Sequence, residues 1–178
     1  MNHATRVYDD ILQTMPSADN PTPMVRVNRL NPSPGFPLYA KLEWANPFGS
    51  IKDRAACYLI RELERQGSLS AERGIVEPTS GNTGISLAAM CAALGYHMRA
   101  VVPSRVPQEK KVLLRIAGAD LDVVSDEVCP SPGMGEGSIN LAKTYVRAQG
   151  DRYVMPNQYE NEENARAHFE TTGPEIWR

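Results

Sequence analysis

Residues 74–103 read GIVEPTSGNTGISLAAMCAALGYHMRAVVP. The run opens on a short apolar segment (74–80), passes through a turn rich in Gly, Ser and Thr, and ends on a second apolar segment (98–103). Both are short and hold the β-branched residues that suit strands. The stretch between them, 82–96, is long enough for a helix and rich in small residues. Strand, helix and strand in this order point to a parallel sheet.

The same alternation continues outward. Upstream, IKDRAACYLIRELERQG (51–67) carries apolar residues at helical spacing and stops near Gly67. Downstream come a helix at 107–118 closed by Gly118, a strand at 121–125, a helix at 138–150 and a strand at 152–156. The expected fold class is therefore α/β, a parallel sheet with helices on both faces. Ligands in such sheets sit outside the carboxyl ends of the strands. Before position 50, PMVRVNRL (23–30) and LYAKLEW (38–44) flank the Pro-rich turn NPSPGFP and predict a hairpin-like pair. At the far end, NEENARAHFETTGPEIWR (161–178) predicts a helix with Asn161 as N-cap and two glutamates in its first turn.

Composition narrows the function. Hydrophobic residues make up 42% and charged residues 22% of the 178, with a formal net charge of -2. That balance suits a globular chain and argues against a nucleic-acid surface, which needs a basic stripe. The longest mostly apolar stretch, 85–96, is too short to cross a bilayer, and the first residues lack a secretory or transit pattern. The cytoplasm is the expected compartment. Cys57, Cys91 and Cys129 show no metal or redox spacing and read as free, mostly buried thiols, while His3, His97 and His168 are scattered. No metal site is assigned.

Two segments invite chemistry. EPTSGNTG (77–84) joins a strand to a helix start, where hydroxyls, unpaired backbone N–H groups and the helix dipole favour a small anion. An ordinary N-cap would have the same composition. NPFGSIKDRAA (46–56) puts Lys52 at a helix start, where its charge opposes the dipole. Most lysines are solvated and protonated, with a pKa of about 10.4. A reactive Lys52 would need desolvation or a covalent imine.

Together these segments resemble the cysteine synthase/cystathionine β-synthase family, pyridoxal-phosphate enzymes of fold type II. TPMVRVNRL (22–30), KLEWANPFGS (41–50), VPSRVPQEKKVLLRIAGADL (102–121) and NQYENEENARAHFETTGPEIW (157–177) extend the resemblance in order over nearly the whole chain from Pro21. The resemblance implies a three-layer small domain over 45–156, with 1–44 and 157–178 as parts of a larger cofactor domain that is incomplete here. It implies pyridoxal 5'-phosphate as cofactor, held by Lys52 as a Schiff base, with Lys52 then the general base on the substrate Cα. Asn82 would bond the cofactor's ring oxygen. Thr79, Ser80, Gly81, Thr83 and Gln158 would take the substrate carboxylate.

The implied reaction is β-replacement on an activated serine of the O-acetylserine or O-phosphoserine type, giving cysteine or a related β-substituted alanine. The implied assembly is a homodimer of the full-length protein. The family's Gly/Thr-rich phosphate loop follows TTGPEIW and is absent from these residues; SPGMGEGS (131–138) precedes NQY and reads as a surface loop. The chain is therefore expected to be a fragment of the full enzyme. The alternatives are half of a split enzyme and a non-catalytic α/β remnant acting as a binding module. In each case uncovered strand edges would call for a partner.

Overall fold

The structure is a computed structural model and describes residues 7–33, 35–125 and 137–177. His3, Cys129 and residues 131–136 of the Gly-rich segment lie outside the described residues.

Four strands form one parallel sheet in the order β5-β4-β3-β6: β3 (Gly74–Pro78), β4 (Met98–Pro103), β5 (Asp120–Val124) and β6 (Tyr153–Val154). Ile75 stands opposite Met98 and Pro78 opposite Val101, while Arg99 to Pro103 pair with Asp120 to Val124. The expected strand at 152–156 is realised over two residues only, paired with Gly74 and Ile75. Pro156 has no N–H to extend the ladder, and Asn157 turns the chain with φ 54°.

Residue parity along the strands sorts the core into two layers. Met98, Ala100 and Val102 of β4 pack with Ile75 against α1 (Lys52–Arg65), α2 (Asn82–Leu94) and α3 (Gln108–Ile116). Val76 and Val101 face the other way and meet Ala142 of α4 (Ser138–Ala148) and Tyr153. Helices thus cover both faces, as the alternation predicts. Each fully buried Leu, Ile or Val in these layers contributes about 1.5–3 kcal/mol of transfer free energy. Helix α2 ends at Leu94 because Gly95 takes a left-handed φ of 79°, which lets the Tyr96 N–H reach the Cys91 carbonyl at 2.8 Å. Cys57 and Cys91 are free and buried, as expected, and burial pushes the Cys91 thiol up to about 12.

The hairpin also forms, over β1 (Met24–Val27) and β2 (Leu38–Lys41), an antiparallel pair separate from the main sheet. The last segment is a short α5 (Glu163–Ala167), a π-helical stretch (His168–Thr172) and α6 (Gly173–Trp177). The cap residue of α5 is Glu162 and not the expected Asn161, because the helix starts at Glu163; the Asn161 side chain still accepts from the Glu163 N–H, at 3.0 Å.

The hairpin and α6 are fastened to α1 by Arg54, which is 1% exposed. Its guanidinium donates to both oxygens of Glu175 at 2.6 and 2.8 Å, to Glu43, and to the Thr22 hydroxyl at 2.6 Å. Lys41 completes the group, with Nζ 2.7 Å from Glu175. Among the described residues no helix is long and apolar enough to cross a membrane.

Candidate active site

The site is built at the carboxyl ends of the strands. Strand β3 runs out through Pro78 into Thr79–Ser80–Gly81, and α2 begins at Asn82. Thr79 is buried, and its hydroxyl oxygen accepts from the N–H groups of Gly81 at 3.3 Å and Gly84 at 3.1 Å. The turn is therefore tied back on itself from a position ahead of the helix. A Cβ on Gly84 would overlap the Thr79 side chain, so the close approach needs glycine there. Among the described residues nothing accepts from the Asn82 and Thr83 N–H groups, which leaves two donors at the positive end of α2 for an anion.

Helix α1 is fixed beside this turn by Asp53, which is fully buried. Its carboxylate accepts from the Phe48 N–H at 2.8 Å and lies 2.6 Å from the Ser86 hydroxyl, which is itself 2.9 Å from the Asn82 carbonyl. Burial pushes the Asp53 carboxyl up, against the opposing bonds from Ser86 and Phe48. Through Asp53 and Ser86 the start of α1 is coupled to the start of α2. Lys52, the first residue of α1, donates its N–H to the Ser50 hydroxyl at 3.1 Å. The acidic Asp53 beside it offsets part of the dipole penalty on a cation at this end.

The third wall comes from the turn after β6. Glu77 is fully buried and accepts from the N–H groups of Asn157 at 3.0 Å and Gln158 at 3.1 Å. Burial pushes its carboxyl up to about 7. The cleft between these walls is about 280 Å³ and is lined by Lys52, Thr79, Ser80, Gly81, Asn82, Thr83 and Gln158 together. These are all the site residues expected from the sequence. A larger cavity of about 380 Å³, between the 12–18 segment and α1, includes none of them.

Three further residues line the cleft: Ile51, Tyr159 and Lys110. None of the three was expected from the sequence, and Lys110 has no local signal, since EKK at a helix start has the composition of a solvated face. The signal was topological. In a parallel sheet, α3 leaves the carboxyl end of β4 on the same side as the 79–83 turn. Asp53, Ser86 and Glu77 were missed as supports because the bonds that join the walls, Asp53 with Ser86 and Glu77 with the 157–158 turn, link residues far apart in sequence.

Residues 16–178 match the family model described as pyridoxal-phosphate dependent enzyme. The chain belongs to that family, and the expectation drawn from the Lys52 and TSGNTG segments holds. It is 40% identical over 167 residues to cysteine synthase B of Salmonella typhimurium, covering 94% of this chain and 53% of the relative. It is 45% identical over 159 residues to a probable cysteine synthase of Bacillus subtilis, covering 88% and 49%. Among solved structures, O-ureido-L-serine synthase superposes with a TM-score of 0.82 at 34% identity, covering 96% of this chain and 50% of that one. The α/β fold is thus that of known pyridoxal-phosphate enzymes. The chain spans about half the length of the curated relatives it matches.

Proposed function

We propose that this chain supplies the lysine and carboxylate-binding half of a β-replacement enzyme acting on an activated serine of the O-acetylserine or O-phosphoserine type. The observation that carries the reading is the gathering of Lys52, the 79–83 turn and Gln158 around one cleft in which, among the described residues, no carboxylate takes part. A primary amine, an amide side chain and open N–H donors fit an aldehyde-bearing anion such as pyridoxal phosphate. That cofactor, when bound, supplies the electron sink that makes the substrate Cα–H acidic.

The chain's own residues have simpler tasks. Lys52 holds the cofactor through Nζ and, as a free amine, takes the proton from the substrate Cα. Asn82 orients the cofactor ring through its amide. The N–H groups of Asn82 and Thr83, the Gly81 backbone and the hydroxyls of Thr79, Ser80 and Thr83 receive the substrate carboxylate. Gln158, pinned by Glu77, closes that pocket from the opposite wall. The small domain over 45–156, the larger domain begun by 1–44 and 157–178, a homodimer of the full-length protein and a cytoplasmic setting belong to the same proposal.

Because the chain spans about half of its relatives, turnover is assigned to the longer protein or assembly that contains it. The test is a spectral titration with pyridoxal phosphate followed by O-acetyl-L-serine or O-phospho-L-serine. A visible band that either amino acid changes, and that Lys52→Ala removes, supports the reading. A band unaffected by both amino acids and by Lys52→Ala favours a binding module without chemistry.

A further inference from the structure

Resting on the substrate site just proposed, we infer that Lys110 is a second cation of the cleft, one that holds the carboxylate of an amino-acid substrate over the Gly81 turn. Its ammonium is placed for this. A Cβ on Gly81 would stand 3.1 Å from Lys110 Nζ, so the charge lies against the bare backbone of the turn and a side chain at position 81 would press on it. Gly81 has an extended φ of -172°, which any residue adopts. The lack of a side chain there serves the close approach of Lys110, not a strained backbone.

The neighbouring lysine shows the contrast. Lys111 is 9% exposed, and its Nζ donates to the Ser104 carbonyl at 2.7 Å, fastening α3 to the end of β4. Lys110, one residue earlier and about 100° around the helix, is only half-buried and turns to the cleft. Among the described residues no ion pair includes it.

The charge balance points the same way. Lys52 and Lys110 both line the cleft, among the described residues no acidic residue does, and Asp53 and Glu77 are fully buried and occupied by N–H and O–H donors. Two cations facing open N–H donors at a helix start create a field that an anion must balance. With Lys52 committed to a covalent role, Lys110 is the cation that remains for the carboxylate. A hydrogen bond between charged groups in such a setting changes affinity by about tenfold to a hundredfold.

The test is an amide NMR titration of the chain with L-serine and with L-serinamide, which lacks the carboxylate charge. The Gly81, Asn82 and Thr83 signals are followed in the unaltered protein, in Lys110→Gln and in Lys110→Arg. The expected result is that Lys110→Gln weakens L-serine binding by about tenfold or more, Lys110→Arg largely retains it, and L-serinamide binds all three alike. Equal L-serine affinity in Lys110→Gln and the unaltered protein overturns the role of Lys110 and leaves the substrate site standing. Signals that L-serine does not move in the unaltered protein overturn the substrate site and the role of Lys110 with it.

Discussion

Glu77 and Gln158 are far apart in sequence, yet Oε1 of Glu77 accepts the Gln158 main-chain N–H at 3.1 Å inside the protein. The other oxygen takes Asn157 at 3.0 Å, so one carboxylate holds the whole turn that carries Gln158 to the cleft. Glu77→Ala strands two N–H groups and should cost on the order of 3 kcal/mol. Urea unfolding measures that loss. Glu77→Gln keeps one acceptor and should cost less.

The same carboxylate makes stability depend on pH. Burial raises its pKa from 4.5 to about 7, so between those values the folded chain keeps a proton that the unfolded chain has released. Unfolding then becomes easier as pH rises through that window, and this contribution is flat above it. Comparing unfolding midpoints of the unaltered chain and Glu77→Gln across the window isolates the effect. The unaltered chain should lose stability relative to the variant as pH rises.

Arg54 and Glu175 form a pair whose side chains are 0% and 2% exposed. Burial works against the Glu175 carboxylate, but the bonds from Arg54 and Lys41 hold its pKa below the ordinary carboxylate value. Glu175→Ala leaves a buried guanidinium short of its partner and should destabilise the fold by about 3–5 kcal/mol. Adding Arg54→Met should recover part of the loss, so the double variant should be more stable than the sum of the two single changes allows. A double-mutant cycle by denaturant unfolding reads the coupling directly.

Gly84→Ala should act locally. The new methyl group meets the Thr79 side chain, which must move or release its grip on the Gly81 and Gly84 amides. The expected cost is about 1–3 kcal/mol, with faster hydrogen exchange at Gly81 and Gly84 while α4 and β5 are unchanged. Equal exchange at those two amides would show that Thr79 does not hold the turn.

How much of this could be read from the sequence depended on distance along the chain. The order of strands and helices was legible because it rests on local periodicity, and 98–103 was read to the residue. The expected strand at 152–156 was too long because Pro156 and the left-handed Asn157 end the pairing early. The seven expected site residues were read from TSGNTG, Lys52 and NQY, and the structure gathers them at one cleft. Arg54 with Glu175, Asp53 with Ser86, and Glu77 with Gln158 left no sequence signal, since each joins elements that meet only after folding. Lys110 and Lys111 look identical in the sequence and differ only in which way α3 turns them.

The central claim is that Lys52, and not the second lysine of the cleft, carries the cofactor. Treating the chain with pyridoxal phosphate, reducing with borohydride and mapping the modified peptide by mass spectrometry tests it most directly. The predicted result is a label on Lys52 that Lys52→Ala abolishes and Lys110→Gln does not. A label that falls on Lys110, or one that survives Lys52→Ala, would contradict the account.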